Sequence, residues 1–135
     1  MPKILKVKFD KVTMKEALAT ILQWSKEEQQ RHIVTPNPEI LLAAQKNHKF
    51  LTILNQADLS LPDGIGILWA ATFQKGKHSI IRWFTTLTAT LLYPKSIRKE
   101  LPERVTGSDL LQNICAKTDQ KVFLLGAAPS IAEKA

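Results

Sequence analysis

Two short turns in the sequence hold polar residues that could line a ligand-binding cleft. They are Thr35–Pro38, which reads Thr-Pro-Asn-Pro, and Pro62–Gly66, which reads Pro-Asp-Gly-Ile-Gly. An aspartate between a proline and a glycine lies on a tight turn, where its carboxylate can face an open crevice rather than the core. Because both turns end short apolar segments in the same way, we expect Thr35, Asn37 and Asp63 to surround a common cleft.

Asp63 also has a plainer interpretation, which is that it caps the helix that follows it, a role that aspartate fills well. On its own, Asp63 fits this structural role better. Two further features favour a functional role. Gly64 and Gly66 let a ligand or another backbone approach closely, and the Thr35–Pro38 turn ends an earlier strand in the same manner.

Two other positions have the chemistry to hold an anion. Gly126, followed by Ala127–Pro129, resembles half of a phosphate-binding turn whose free amides lie at a helix N-terminus. No second or third glycine completes a dinucleotide-binding motif. Arg104 could hold a diphosphate through two parallel hydrogen bonds, although an exposed arginine beside Glu103 is usually only solvated.

The sequence offers little support for a metal site, a disulfide or a cofactor. His32, His48 and His78 do not have the spacing of metal ligands and have no nearby cysteine or aspartate partner. Cys115 is the only cysteine, so it cannot close an intramolecular disulfide, and its apolar neighbours indicate a small core residue. We therefore expect neither a metal nor a cofactor.

The elements that must position these residues alternate between strands and helices. Apolar and lysine residues alternate over Leu5–Phe9, which predicts a strand with one buried face. Thr13 and Glu16 have the spacing of a capping box before an amphipathic helix from Met14 to about Ser25. Asn37 is placed to cap a helix that Pro38 opens. The remaining predicted elements are strand Ile33–Val34, helix Phe50–Asn55, strand Ala57–Leu61, helix Ile67–Phe73, a buried strand Lys121–Leu125 and helix Ile131–Ala135.

This alternation predicts an α/β fold with a parallel sheet flanked by helices, in which ligands collect where strand ends meet helix starts. The helix from Ile131 to Ala135 stops after one turn. A single turn is not stable in isolation, so we expect the sheet to be incomplete at its C-terminal side.

The segment from Lys75 to Arg104 differs from the rest of the chain. It contains seven basic and two acidic residues, a net charge of +5 out of the +7 of the whole protein. Apolar residues that include Trp83 and Phe84 recur in it at helical spacing, so this helix could rest on an anionic membrane surface. Nucleic acid is a weaker alternative, because the aromatic residues follow a period suited to burial and no known RNA or DNA module is present.

Length and composition restrict the class of protein. The 135 residues suffice for about one domain, and 44% hydrophobic with 23% charged residues is close to the globular average, which argues against disorder. Lys3, Lys6 and Lys8 interrupt the apolar residues at the start, unlike in a secretory signal, and no run has the roughly 20 apolar residues of a membrane span. A cytoplasmic protein, soluble or at the inner face of the plasma membrane, is expected.

Four segments together resemble the WecG/TagA/CpsF family of bacterial glycosyltransferases, which includes N-acetylmannosaminyltransferases of cell-surface polymer synthesis, teichoic acid among them. Their order and joint occurrence are specific, and they extend over most of the chain. The segments are VTPNPEILLAAQ (Val34–Gln45), ILNQADLSLPDGIGILWA (Ile53–Ala70), ERVTGSDLL (Glu103–Leu111) and VFLLGAAPSIAEKA (Val122–Ala135).

The resemblance implies a Rossmann-like domain of which residues 1–135 form the N-terminal part. It also implies inverting, metal-independent transfer from a UDP-activated amino sugar to a polyprenol-diphosphate-linked sugar. By motif position, Asp63 would be the catalytic base with Thr35 beside it, while Asn37, Arg104 and Gly126 would bind substrate.

Three features depart from the family pattern or leave alternatives open. Ala127 stands where a second glycine is usual, residues 75–101 form a basic aromatic insertion, and family members continue well beyond this length.

The alternatives are a truncated, noncatalytic remnant that binds a membrane or partner, and a nucleotide-binding module with other chemistry. A homo-oligomer is compatible with the sequence.

Overall fold

The computed structural model describes residues 1–74, 84, 85, 87, 88 and 97–125. These residues form a mixed α/β structure. Its helices are α1 (Met14–Trp24), α2 (Pro38–Lys46), α3 (His48–Gln56), α4 (Ile65–Gln74) and α5 (Gly107–Cys115). Its strands are β1 (Lys3–Ile4), β2 (Val7–Lys8), β3 (Ile33–Val34) and β4 (Leu59–Ser60), of which β1 and β2 pair antiparallel and β3 and β4 pair parallel.

The hydrogen bonds between the two parallel segments extend beyond the two-residue strands β3 and β4. Beyond the strands, the Leu61 amide donates to the Val34 carbonyl at 2.8 Å and the Asp63 amide donates to the Pro36 carbonyl at 3.2 Å. On the other edge of the same segment, the Asp10 amide donates to the Ser60 carbonyl and the Val105 amide to the Pro62 carbonyl, both at 2.9 Å. Residues 59–63 are therefore the central extended segment of the described chain.

This central segment lies between two hydrophobic cores, since side chains alternate between the two faces of a strand. Helices α1 and α5 cover one face, and α2, α3, α4 and the β1–β2 hairpin cover the other. The buried residues of the first core are Ala17, Ile21, Leu59, Leu61, Val105 and Leu110. Those of the second core are Ile4, Val7, Phe9, Leu41, Ala44, Leu54, Ile67, Leu68, Ala71, Ile97 and Leu101. The predicted α/β class is confirmed. A Rossmann-like parallel sheet is not, because the described strands form two two-stranded sheets, of which one is antiparallel.

The predicted starts of α1 and α2 are also confirmed, whereas α3 begins at His48 rather than Phe50 and α4 at Ile65 rather than Ile67. Thr13 and Glu16 form a capping box, in which the Glu16 carboxylate accepts from the Thr13 amide at 2.7 Å and the Thr13 hydroxyl accepts from the Glu16 amide at 3.3 Å. The hydrogen bond from the Thr13 backbone, followed by that from its side chain, lowers the pKa of Glu16. Asn37 caps α2 with Pro38 at its first position.

The predicted continuous strand Leu5–Phe9 is wrong. The chain instead turns back between β1 and β2, with Leu5 and Lys6 both at positive φ, 46° and 67°. Side-chain amides hold this turn: Gln45 donates to the Leu5 carbonyl at 2.6 Å and Asn55 donates to the Lys6 carbonyl at 3.1 Å. Leu5 is consequently exposed at the turn, while Val7 and Phe9 are buried as expected.

Two expectations for the C-terminal part are wrong. Cys115 is exposed, because Leu110 and Ile114 are the α5 residues that pack against the first core and the next position is rotated by about 100° around the helix. The segment Lys121–Leu125 is neither a strand nor buried, with Phe123 85% and Leu125 91% exposed. A strand requires a neighbouring ladder, and no described segment supplies one here.

Other expectations fall outside the described residues. They concern Gly126, the helix Ile131–Ala135 and most of the basic aromatic segment at 75–101.

The hairpin turn yields a stability prediction. We expect Lys6→Gly to stabilise the protein by about 0.5–1 kcal/mol, because relief of the left-handed conformation, worth about 1–2 kcal/mol, exceeds the entropic cost of glycine, about 0.5–1 kcal/mol. Lys8→Gly, at an equally exposed strand position, should destabilise it by about 0.5–1 kcal/mol. Urea unfolding of both variants checks this, and equal losses of stability would contradict a positive φ at Lys6.

Candidate functional site

The parallel pairing brings Thr35, Asn37 and Asp63 to one face and one end of the sheet. Ile33 pairs with Leu59 and Val34 with Ser60. The hydrogen bond from the Asp63 amide to the Pro36 carbonyl continues this pattern, so the same register sets Asn37 beside Asp63. Alternation puts these residues on the face of Ile33 and Leu59, which α5 covers.

The two turns are in direct contact with each other. The Pro38 ring lies 3.5 Å from the position that a Cβ would take on either Gly64 or Gly66, which is an ordinary van der Waals distance. Gly64 has a φ of +121°, a conformation that favours glycine, which explains the residue type that follows Asp63. The Thr35–Pro38 and Pro62–Gly66 turns therefore form one structural unit.

Asp63 is half-buried, and its carboxylate accepts no hydrogen bond from the described residues. Helix α4 begins at Ile65, and the Ile67 amide donates to the Gly64 carbonyl at 3.2 Å rather than to the Asp63 side chain. The helix-capping interpretation of Asp63 thus finds no support in the geometry. A half-buried carboxylate that accepts no hydrogen bond from the described residues, at the end of the central segment, is available to a ligand.

Asn37 lies beside Asp63 and also has a structural role. Its side-chain oxygen accepts from the Ile40 amide at 2.8 Å and thereby caps α2. No residue in the described part of the chain accepts a hydrogen bond from its side-chain nitrogen. Capping fixes the orientation of the side chain, and the amide nitrogen remains able to donate to a ligand.

Thr35 packs against the start of α5. A Cβ on Gly107, the first residue of that helix, would lie 2.9 Å from the Thr35 hydroxyl oxygen, closer than real Cβ contacts allow. The Thr106 hydroxyl caps the same helix by accepting from the Asp109 amide at 3.3 Å. The segment 103–107 therefore reaches the two turns, with Val105 bonded to Pro62 on one side and Gly107 against Thr35 on the other.

A pocket of about 370 Å³ lies next to these turns, and we call it the arginine pocket. Its charged lining residues are Arg98, Glu103, Arg104 and Asp109, and its apolar lining comes from α1, α4 and Ile97. Thr35, Asn37 and Asp63 do not line it. Ile65 connects the pocket with the second turn, because it belongs to that turn, begins α4 and lines the pocket.

The arginine pocket is lined by two basic and two acidic residues. The Glu103 carboxylate accepts from the Met14 amide at 2.8 Å and so satisfies the N-terminus of α1. Asp109 lies in the first turn of α5, where the helix dipole favours a negative charge. Arg98 and Arg104 are exposed, and neither pairs with an acidic group among the described residues.

Another charged cluster, beside the N-terminal end of β3, has a structural explanation. Arg31 bridges Glu27 at 2.9 Å and Asp58 at 3.5 Å, and its guanidinium lies 4.9 Å from the centre of the Trp24 ring. The His32 amide, which donates to Asp58 at 2.8 Å, is the largest cause of the lowered pKa of that carboxyl. This cluster joins the end of α1 to the parallel pair.

The sequence pointed to some of these residues and missed others. Arg104 lines the arginine pocket, whereas Gly126 is outside the described residues. Arg98 is one of the seven basic residues between Lys75 and Arg104, which does not by itself indicate a pocket. The contact of Gly107 with Thr35 has no signal in the sequence beyond the glycine itself. The described residues contain no group of three metal-binding side chains, and no described helix is long and apolar enough to cross a membrane.

Comparison with known proteins identifies relatives over the whole chain. The model of the glycosyl transferase WecG/TagA/CpsF family matches residues 2–92 and 85–135. An N-acetylglucosaminyldiphosphoundecaprenol N-acetyl-beta-D-mannosaminyltransferase of Bacillus spizizenii is 34% identical over 102 residues, which are 73% of this chain and 31% of that protein. A protein of the same name from Staphylococcus aureus is 30% identical over 138 positions, which are 98% of this chain and 45% of the relative. The chain thus spans less than half the length of these curated relatives.

The contact between Gly107 and Thr35 yields a prediction. We expect Gly107→Ala to destabilise the protein by about 1–3 kcal/mol through overpacking against the Thr35 hydroxyl, although alanine is otherwise the better helix former. In a Thr35→Ala background the penalty should fall by at least about 1 kcal/mol. Chemical unfolding of the four proteins of this cycle measures the coupling.

Gly66→Ala is the matched control, since Gly66 also lies in the first turn of a helix but its added methyl would meet Pro38 at an ordinary 3.5 Å. It should be neutral or stabilising by up to about 1 kcal/mol. Additive effects of Gly107→Ala and Thr35→Ala would show that the two residues are not in contact.

Proposed function

The chain belongs to the WecG/TagA/CpsF family of glycosyl transferases, and from this premise we propose that its gene product moves an N-acetylhexosamine of the N-acetylmannosamine type. The donor is a UDP-activated sugar and the acceptor is a sugar linked to a polyprenol diphosphate. The printed names of the relatives from Bacillus spizizenii and Staphylococcus aureus support the sugar and the acceptor class. The product belongs to cell-surface polysaccharide synthesis, such as that of teichoic acid.

One observation carries this proposal: the carboxylate of Asp63, at the end of the central segment, accepts no hydrogen bond from the described residues. In an inverting displacement the acceptor hydroxyl must lose its proton as it attacks the donor sugar. Asp63 is the general base for that proton. Its half-buried position beside the Thr35–Pro38 turn supports this role, because the acceptor hydroxyl can approach it while neighbouring side chains hold the sugar.

Thr35 and Asn37 orient the reacting sugars. The Thr35 hydroxyl can both donate and accept a hydrogen bond, and the Asn37 amide nitrogen can donate two. Sugar hydroxyls match these groups. The packing of Thr35 against Gly107 and the capping role of Asn37 support fixed positions for both, which reduces the entropy lost when substrate binds.

Charge on the departing nucleotide and on the acceptor must also be balanced. Arg104 holds a diphosphate, and the amides that follow Gly126 provide further donors at a helix N-terminus. In this proposal cationic side chains and backbone amides stabilise the diphosphate charge that a metal ion stabilises in other glycosyltransferases. The complete domain has a Rossmann-like parallel sheet, and the protein contacts, at the cytoplasmic face, the membrane that contains the acceptor lipid.

We expect Asp63→Asn to lower kcat for sugar transfer by about 10²- to 10⁴-fold, the usual contribution of a general base. The amide cannot take up the proton, yet it has the same shape, so the unfolding midpoint should be unchanged. The measurement is radiolabel transfer from a panel of UDP sugars by the full gene product. Asp119→Asn, which removes the same charge from an exposed position, is the matched control and should retain full activity.

Two results would refute parts of this proposal. Unchanged turnover of Asp63→Asn would remove Asp63 from the role of base. No transfer by the wild-type gene product with any UDP sugar would instead favour the noncatalytic alternative, in which the protein binds a membrane or partner.

Metal independence has its own test. Because the proposal assigns the leaving diphosphate to arginine and amide donors, we expect the transfer rate to change less than twofold in the presence of excess EDTA. Restoration of a lost rate by Mg²⁺ or Mn²⁺ would show that a divalent cation takes part.

A further inference from the structure

The β1–β2 hairpin and the two helices that hold its turn carry exposed positive charge and no carboxylate. Met1–Phe9 and Ile40–Ala57 contain five lysines and neither aspartate nor glutamate, although the chain as a whole has 12 acidic residues. All five lysines are exposed, and we call them the lysine surface: Lys3, Lys6, Lys8, Lys46 and Lys49. None of them forms a salt bridge with a described residue. Such an accumulation of positive charge favours an anionic partner.

Two lysines of the hairpin are placed at a cost to folding. Lys3 and Lys8 lie directly opposite each other across the antiparallel pair. Their neighbours Ile4 and Val7 are buried, so the two lysine side chains share the solvent face of the hairpin. Like charges that face each other across a strand pair destabilise it. The fold therefore gains nothing from this pair of lysines.

Two further lysines are unfavourable for other reasons. Lys6 has a φ of 67°, in the left-handed region that glycine occupies more easily. Lys49 lies in the first turn of α3, where the positive end of the helix dipole repels a cation. Residues that break local rules in this way commonly serve a function. Binding of an anionic partner explains these positions, whereas stability does not.

Hydrogen bonds join the hairpin to the two helices that carry the other lysines. The side-chain amide of Gln45, in the last turn of α2, donates to the Leu5 carbonyl at 2.6 Å. The Asn55 side chain of α3 donates to the Lys6 carbonyl and accepts from the Lys8 amide, both at 3.1 Å. The hairpin, the end of α2 and α3 consequently present their lysines from one connected part of the structure.

Exposed aliphatic side chains accompany the lysines. Leu5, at the hairpin turn, is 43% exposed. On α2, Leu42 is 59% exposed and lies one turn before Lys46. On α3, Ile53 is 40% exposed and lies one turn after Lys49. A matching partner must offer both negative charge and an apolar layer, which a nucleic acid does not.

We propose that the lysine surface and these aliphatic side chains bind the headgroup layer of an anionic phospholipid membrane. The lysines bind lipid phosphates, and the aliphatic side chains reach the boundary of the acyl chains. This inference rests on the proposed function, which places the protein at the membrane of its acceptor, and it names the surface that makes the contact. Helix α2 has nine residues and is about 14 Å long, so the Thr35–Pro38 turn at its other end remains open to a soluble donor.

Sedimentation of the gene product with vesicles tests this surface. We expect binding to vesicles of phosphatidylcholine that contain about one third phosphatidylglycerol, and none to phosphatidylcholine alone. The double variant Lys3→Gln/Lys8→Gln should bind at least tenfold more weakly, since each lysine near an anionic surface contributes about fivefold. The same variant should unfold at a higher urea concentration, because the like-charge pair is gone. Weaker binding together with higher stability separates a binding role from a structural one.

Matched controls separate the surface from net charge and from general hydrophobicity. Lys117→Gln/Lys121→Gln removes the same charge from exposed positions outside the surface and should bind as the wild type does. Leu42→Ser should weaken vesicle binding at least threefold. Leu111→Ser, which removes a side chain that is 38% exposed on α5, should leave it unchanged.

The possible outcomes are distinct. Equal weakening by the two lysine pairs, or full binding by Lys3→Gln/Lys8→Gln, would overturn the surface. Stronger binding to a polyglutamate peptide or to a DNA oligonucleotide than to the anionic vesicles would overturn the membrane as its partner. Binding to anionic vesicles that depends on Lys3 and Lys8, by a protein that transfers no sugar, would support the surface and refute the proposed function alone.

Discussion

Backbone hydrogen bonds on both edges of residues 59–63 are the constraint on which the candidate site depends. One edge binds the Val34 and Pro36 carbonyls, and the other is bonded to Asp10 and Val105. These bonds lie between two apolar cores, where an unpaired amide or carbonyl would be costly. Because the register is fixed in this way, Asp63 lies beside the Thr35–Pro38 turn without needing any bond from its own side chain.

The features that the sequence predicted well are those that depend on local chemistry. The capping box of α1, the Asn37 cap with Pro38 and the two special turns are encoded within a few residues of each other. The hairpin was missed because its positive φ angles are held by Gln45 and Asn55, more than 35 residues away in sequence. Likewise, the apolar residues 122–125 have strand propensity, but a strand also needs a partner, which propensity does not reveal.

The same distinction applies to the site. Asp63, Thr35 and Asn37 could be selected from residue type and turn context, and their shared face follows from the parallel pairing. The positions of Arg98 and Gly107 relative to them result from tertiary packing, so no pattern in the sequence gave them. Family membership supports the proposed class of reaction. The geometry supplies a carboxylate, two polar side chains held by packing or capping, and a pocket with two arginines that pair with no acidic group among the described residues.

The central claim is that the Asp63 carboxylate, which accepts no hydrogen bond from the described part of the chain, accepts a proton from the acceptor sugar. A crystal structure of the gene product with a non-reactive acceptor analogue tests this most directly. The account predicts an acceptor hydroxyl about 2.6–3.2 Å from an Asp63 carboxylate oxygen, with Thr35 or Asn37 bonded to the same sugar. An Asp63 carboxylate bonded to the amides of α4, with the acceptor bound elsewhere, would contradict it.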